Sequence, residues 1–160
     1  MSKTMKTSGR RRALGQHFLS NAAACRQIVT LFAPVKGERV LEIGPGRGVL
    51  TALLLEAGAR VVAVEVDERL ADLLAARFDG DPALTLHRAD ILRCDLASLL
   101  PDGSARVLAN LPYSITGAIL VRLFAASARI GEMTLMLQKE VVDRILAGPG
   151  SRTYGSLSVL

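Results

Sequence analysis

Apolar residues along this chain fall into two alternating patterns. Short unbroken runs rich in Val, Leu and Ile mark strands. Longer stretches, in which apolar residues return every three or four positions, mark helices. The runs predict strands over 39–43 (RVLEI), 60–64 (RVVAV), 83–87, 105–109 and 133–137 (MTLML). The stretches predict helices over 48–57, 68–78, 95–100, 116–126 and 139–147. An earlier helix runs to Phe32, capped by Ser20 or Asn21 and ended by Pro34 and Gly37, with Ile28, Val29, Leu31 and Phe32 on its apolar side. Gly58 is placed to close the helix at 48–57, and Gly148, Pro149 and Gly150 break the last one before an apolar run resumes at 157–160. Strands alternating with helices imply parallel strands joined by right-handed crossovers, hence a doubly wound, mostly parallel α/β sheet. RVVAV and MTLML are apolar throughout, as strands covered on both faces should be.

Composition narrows this picture. A chain of 160 residues holds one domain with a core. Aromatic residues make up only 4%, so the core is built from Leu, Val, Ile and Ala. No apolar run reaches the roughly 20 residues of a membrane span, and no apolar stretch follows the basic start as in a secretory signal. That acid-free start also fits a mitochondrial transit peptide; the cytoplasm is the preferred location. Cys25 and Cys94 match no metal or redox spacing and read as reduced thiols, so no metal is expected.

The charge is unevenly placed. Residues 1–40 hold eight Lys/Arg and one acid, +7, whereas residues 41–160 hold twelve and fourteen, −2. Residues 1–12, with Lys3, Lys6, Arg10, Arg11 and Arg12, read as a disordered basic tail. A solvated tail and a segment that grips a phosphate backbone are both consistent with it. Leu14, Phe18 and Leu19 then bring apolar anchors, and the domain runs from 13 to 160.

Four segments carry candidate chemistry, each just after a predicted strand. Gly44-Pro45-Gly46-Arg47-Gly48 follows the first. Glycines there let a ligand approach the backbone, and the next helix presents free N–H groups. A dinucleotide site needs its third glycine at position 49, which is Val49. The departure disfavours a nicotinamide oxidoreductase and favours S-adenosylmethionine on Gly44 and Gly46. Glu65 closes the second strand, where a carboxylate can accept from both ribose hydroxyls; Asp67 beside it also suits a helix cap. Asp90 follows the third, where it can accept from an adenine 6-amino group with Ile91 on the ring face, or simply cap a turn.

Asn110-Leu111-Pro112-Tyr113 follows the fourth strand. Methylating an exocyclic amine requires a nitrogen whose lone pair is delocalised into the ring to attack a sulfonium methyl. Two acceptors on its protons orient it and favour tetrahedral character. The Asn110 side-chain oxygen is one, and the Leu111 carbonyl, turned out ahead of Pro112, is the other. Tyr113 offers a face on which a flipped base stacks. Elsewhere such a segment would read as a plain turn; after this glycine loop it reads as catalytic.

With these residues in view, the chain resembles the ribosomal RNA adenine dimethyltransferase family. The resemblance rests on Leu14–Leu19 (LGQHFL), Val40–Gly46 (VLEIGPG), Val64–Asp67, Ala89–Ile91, Asn110–Tyr113, Leu137–Val142 (LQKEVV) and Tyr154–Val159 (YGSLSV). It implies a Rossmann-like S-adenosylmethionine-dependent methyltransferase fold and dimethylation of adenine N6 in small-subunit rRNA during ribosome biogenesis. The partner is then rRNA or a pre-ribosomal small subunit, and the protein a monomer. The same resemblance implies cofactor contacts at His17, Leu19, Gly44, Glu65, Asp90 and Asn110; His17 stands where many members carry asparagine. Enzymes that methylate a large-subunit adenine and confer macrolide resistance share the glycine loop and an Asn-x-Pro-Tyr motif, and a non-catalytic RNA-binding assembly factor would share the tail. Family members run on past this length with further strands and a small helical domain. The chain is therefore expected to be a fragment, weakly active or inactive alone, with its fifth strand at a sheet edge.

Overall fold

The computed structural model describes residues 21–101, 105–112 and 114–159. The basic tail expected over 1–12 and the contacts expected of His17, Leu19 and Tyr113 lie outside the described residues.

The elements follow the predicted alternation: α1 (Ala22–Phe32), β1 (Arg39–Ile43), α2 (Val49–Glu56), β2 (Arg60–Glu65), α3 (Glu68–Arg77), β3 (Leu84–Arg88), α4 (Leu96–Leu99), β4 (Ala105–Asn110), α5 (Thr116–Ala125), β5 (Ile130–Met136), α6 (Lys139–Ile145) and α7 (Ser156–Val159). The strands form a parallel sheet in the order β3-β2-β1-β4-β5. The chain moves outward from β1 through β2 to β3, then returns to the other side of β1 for β4, so the topological switch point lies between β1 and β4.

Local chemistry accounts for the boundaries. The Asn21 side-chain oxygen accepts from the Ala23 and Ala24 N–H groups at 2.9 and 3.2 Å and starts α1. Asp67 does the same for α3, and Asp95 accepts from Ala97 N–H at 3.0 Å at α4.

Two apolar layers sandwich the sheet. Leu41, Ile43, Val62, Val64, Val107 and Ala109 meet Leu96 and Leu100 of the α4 region and Ile119 and Leu123 of α5. On the opposite face, Val40, Val61, Ala63 and Leu108 meet Cys25, Val29 and Phe32 of α1 and Leu50 and Leu54 of α2. Alternation along each central strand thus feeds both layers.

Strand β5 lies at a sheet edge as expected but departs from expectation in its start and its burial. It begins at Ile130 rather than 133, and its residues are only half-buried or exposed. It lies at an edge of the described sheet, so MTLML is not covered like RVVAV, whose residues after Arg60 are all buried. Gly131 and Glu132 lack strand-like hydrophobicity. Glu132 is drawn in by its pairing with Arg106 of β4 and by the Arg106–Glu132 ion pair at 3.1 Å, and Gly131 is carried along as the extra residue between the Ala105 and Arg106 pairings.

Arg106 is the main polar fastener at this end of the sheet. Its guanidinium sits 4.0 Å from the centroid of the Phe32 ring. It donates to the carbonyls of Phe32 and Ala33 and pairs with Glu38 at 3.3 Å. One side chain thereby joins the end of α1, the loop into β1, β4 and β5.

Gly48, which caps α2, holds φ +74°. A Cβ there would lie 2.6 Å from Leu74 Cδ2 and 2.8 Å from Phe78 Cε2, so α3 packs against bare backbone. Gly48→Ala adds a left-handed conformation to that clash and is expected to destabilise the chain by roughly 2–4 kcal/mol. A thermal melt should shift down by roughly 10 °C; an unchanged melting temperature would show that α3 can move away at little cost.

Candidate functional site

Because the sheet is parallel, the carboxyl ends of β1, β2, β3 and β4 open on one edge. Gly44 follows β1, Glu65 ends β2, Asp90 lies just past β3, and Asn110 ends β4. Backbone bonds lock the neighbouring exits together: Gly44 N–H donates to the Val64 carbonyl and Ala89 N–H to the Glu65 carbonyl, each at 3.0 Å. A Cβ on Gly44 would lie 3.8 Å from the Asn110 carbonyl oxygen, so the glycine loop and the Asn-Leu-Pro turn adjoin across the switch point.

Glu65 is 2% exposed. Its two oxygens accept from Gly46 N–H at 3.0 Å and Asp67 N–H at 2.9 Å. It therefore ties the glycine loop to the turn into α3. Burial raises its carboxyl above the ordinary value, while the N–H groups of Asp67, Gly46 and Val66 work against that rise. Each oxygen keeps a further lone pair for a ligand hydroxyl.

Asp90 uses Oδ1 to accept from Leu92 N–H at 2.9 Å, shaping the turn after β3. Its side chain is 39% exposed, and Ile91 beside it is buried in the core layer of Ile119 and Leu123. The turn-capping and ligand-accepting readings are thus compatible in one residue. At Asn110, the next residue Leu111 is buried and donates to the Met136 carbonyl at 3.4 Å. The Pro112 carbonyl accepts from Ile115 N–H at 3.2 Å and from the Thr116 hydroxyl at 3.0 Å, fastening the turn to the start of α5.

Reading the sequence residue by residue missed Glu42. It is 1% exposed in the middle of β1. Oε2 accepts from the Thr51 hydroxyl of α2 at 2.7 Å, and Oε1 is buried with no protein partner. Thus β1 and α2 are bonded across the base of the glycine loop. The signal was present: an acid inside an otherwise apolar buried strand has to serve something. Burial raises its carboxyl to about 7, helped by the negative charge of Glu65 and opposed by the Thr51 bonds. An orphaned buried oxygen at the root of the loop, glycines that leave the backbone bare and a buried acid at the end of β2 suit a polar, nucleoside-bearing ligand such as S-adenosylmethionine.

This order of parallel strands, with a glycine loop after the first, is the Rossmann-like architecture of methyltransferases. A family model described as "Ribosomal RNA adenine dimethylase" matches residues 7–160, and the chain belongs to that family. It is 47% identical over 153 residues to "Ribosomal RNA small subunit methyltransferase A" of Geobacter sulfurreducens, covering 94% of this chain and 55% of the relative. The chain thus spans a little over half the length of that relative. A dimethyladenosine transferase of Plasmodium falciparum superposes with a TM-score of 0.77 at 28% identity, over 89% of this chain and 51% of that one. The 23S rRNA methyltransferase ErmE superposes with a TM-score of 0.71 at 29% identity, over 80% and 50%.

Glu42 yields a pH prediction. A carboxyl raised from 4.5 to about 7 by folding binds its proton more tightly in the folded state. Its stabilising contribution is complete below about 4.5 and is lost as pH rises through about 7. Between pH 5 and 8 the wild-type chain should therefore lose roughly 2.5 kcal/mol relative to Glu42→Gln. Denaturant unfolding of both chains at the two pH values checks this, and parallel profiles would show that Glu42 ionises no differently when folded.

Proposed function

We propose that this chain forms the cofactor-binding and base-methylating part of an rRNA adenine-N6 dimethyltransferase. It acts on adenines of small-subunit rRNA, twice per base, as a monomer in the cytoplasm during ribosome biogenesis. The observation that carries the reading is the meeting of Gly44, Glu65, Asp90 and Asn110 on one sheet edge, with the Asn-Leu-Pro turn against the glycine loop. The names of the relatives support the substrate class. Among the described residues no helix is long and apolar enough to cross a membrane.

The residues divide the work. Gly44 and Gly46 leave room for the methionyl part of S-adenosylmethionine, Glu65 accepts from the ribose hydroxyls, and Asp90 with Ile91 receives the adenine. His17 and Leu19 complete this set. When bound, the cofactor supplies an electrophilic methyl group on a sulfonium. Asn110 and the Leu111 carbonyl accept from the two N6 protons of the target adenine and aim its lone pair. Pro112 fixes that carbonyl's direction, and Tyr113 stacks on the base. The sulfonium would supply the driving force, its methyl–sulfur bond breaking to leave the neutral thioether, so the N6 proton can pass to water without a strong general base.

Calorimetric titration of S-adenosylmethionine should show binding by the wild-type chain and none by Glu65→Ala. Equal binding by the two would remove Glu65 from the site. Asn110→Ala should lower methyl incorporation into undermethylated small-subunit rRNA by about a hundredfold or more. Incorporation into large-subunit rRNA instead would move the chain to the activity named for ErmE. RNA binding with no incorporation, by a chain extended past residue 160, would favour the assembly-factor reading.

A further inference from the structure

The turn carrying Asp90 is held by a residue that no motif predicts. Arg122 lies on α5, in the otherwise apolar stretch AILVRLFA. Its Nη1 donates to the Leu92 carbonyl at 2.7 Å and its Nη2 to the Cys94 carbonyl. Nε is buried without a partner. Filling space alone would favour a leucine here, which needs no hydrogen bonds and leaves no buried nitrogen unsatisfied. The guanidinium fork does what an apolar side chain cannot: it fixes two carbonyls of one turn at a set spacing.

That turn is small and internally ordered. Arg93 N–H and Cys94 N–H both donate to the Asp90 carbonyl, at 2.8 and 3.2 Å, and Leu92 N–H donates to Asp90 Oδ1. Ile91 anchors it in the same apolar layer as Ile119 and Leu123 of α5. Any movement of the turn that swings the Asp90 carboxylate must also move Leu92 and Cys94, whose carbonyls Arg122 holds. The other end of α5 holds the Asn-Leu-Pro turn through the Pro112 carbonyl. One rigid helix therefore spaces the Asp90 turn from Asn110.

We propose that Arg122 is a positioning residue for adenine recognition: by gripping the Leu92 and Cys94 carbonyls it sets the Asp90 carboxylate to accept from the 6-amino group of the cofactor's adenine. This rests on the cofactor reading above. It predicts that Arg122 controls discrimination at a single exocyclic group through the turn it holds rather than through a contact of its own with the ligand.

The test uses S-adenosylhomocysteine and S-inosylhomocysteine, which differ in carrying a 6-amino or a 6-oxo group. Both are titrated calorimetrically into the wild-type chain, Arg122→Met, Arg122→Lys, Asp90→Asn and the Arg122→Met/Asp90→Asn double variant. The wild-type chain should prefer the adenosyl ligand by about tenfold or more. Arg122→Met should bring that preference within about twofold, chiefly by weakening the adenosyl ligand, and the double variant should discriminate no worse than either single one. Arg122→Lys keeps the charge but donates from a single nitrogen and should fall between. Equal weakening of both ligands by Arg122→Met, or additive losses in the double variant, would overturn the proposal. If Arg122→Met does not fold, an unchanged preference in Arg122→Lys overturns it and a reduced one supports it. A wild-type chain that binds neither ligand, or both alike, would bring down the adenine-site reading itself, and the proposal with it.

Discussion

All strands of the described sheet run the same way, and most of what matters in this molecule descends from that. A parallel strand cannot turn directly into its neighbour. Each must cross back over the sheet, so each delivers its carboxyl end to the same edge. Glycine, two acids and an asparagine far apart in sequence are gathered there without any long-range contact having to select them individually. The switch from β1 to β4 then opens the one gap in which two loops can lie side by side, and the glycine loop and the Asn-Leu-Pro turn occupy it.

Charge is used sparingly around this edge. Glu42 and Glu65 are both almost fully buried, and both are raised by lost hydration. Burying two acids near each other is costly. Their bonds show what offsets the cost: Glu42 ties β1 to α2 through Thr51, and Glu65 ties the loop to the turn before α3. The loop is thus held from below and from the side, while its glycines keep its upper surface bare. A rigid loop loses little entropy when a ligand arrives.

Much of this was legible in the sequence. Regular alternation of apolar runs with helical stretches placed the elements to within a few residues, because strands covered on both faces leave continuous Val and Ile behind them. The placement of the four segments at one sheet edge was legible because each follows a predicted strand and parallel strands end on the same side. Other features left no periodic trace. The early start of β5 depends on Arg106, whose partner Glu132 is distant in sequence and whose strand neighbours look like loop. Arg122 and Glu42 are single polar residues inside apolar segments, where a pattern reading passes over them. Their roles emerge only when tertiary contacts supply partners: Thr51 for one, two loop carbonyls for the other.

The pairing of β4 with β5 slips by one residue at its start: Ala105 faces Ile130, but Arg106 faces Glu132, leaving Gly131 as the extra residue. Side chains alternate faces along a strand, so a slip of one exchanges inside for outside for everything downstream. The phase of Met133 to Met136, up to the pair Asn110–Met136 beside the Asn-Leu-Pro turn, is therefore set at the opposite end of the sheet by a glycine at which a side chain would meet only open space. The chain keeps time along β5 by one uncounted beat, and a residue with no side chain decides which side chains stand next to the Asn-Leu-Pro turn.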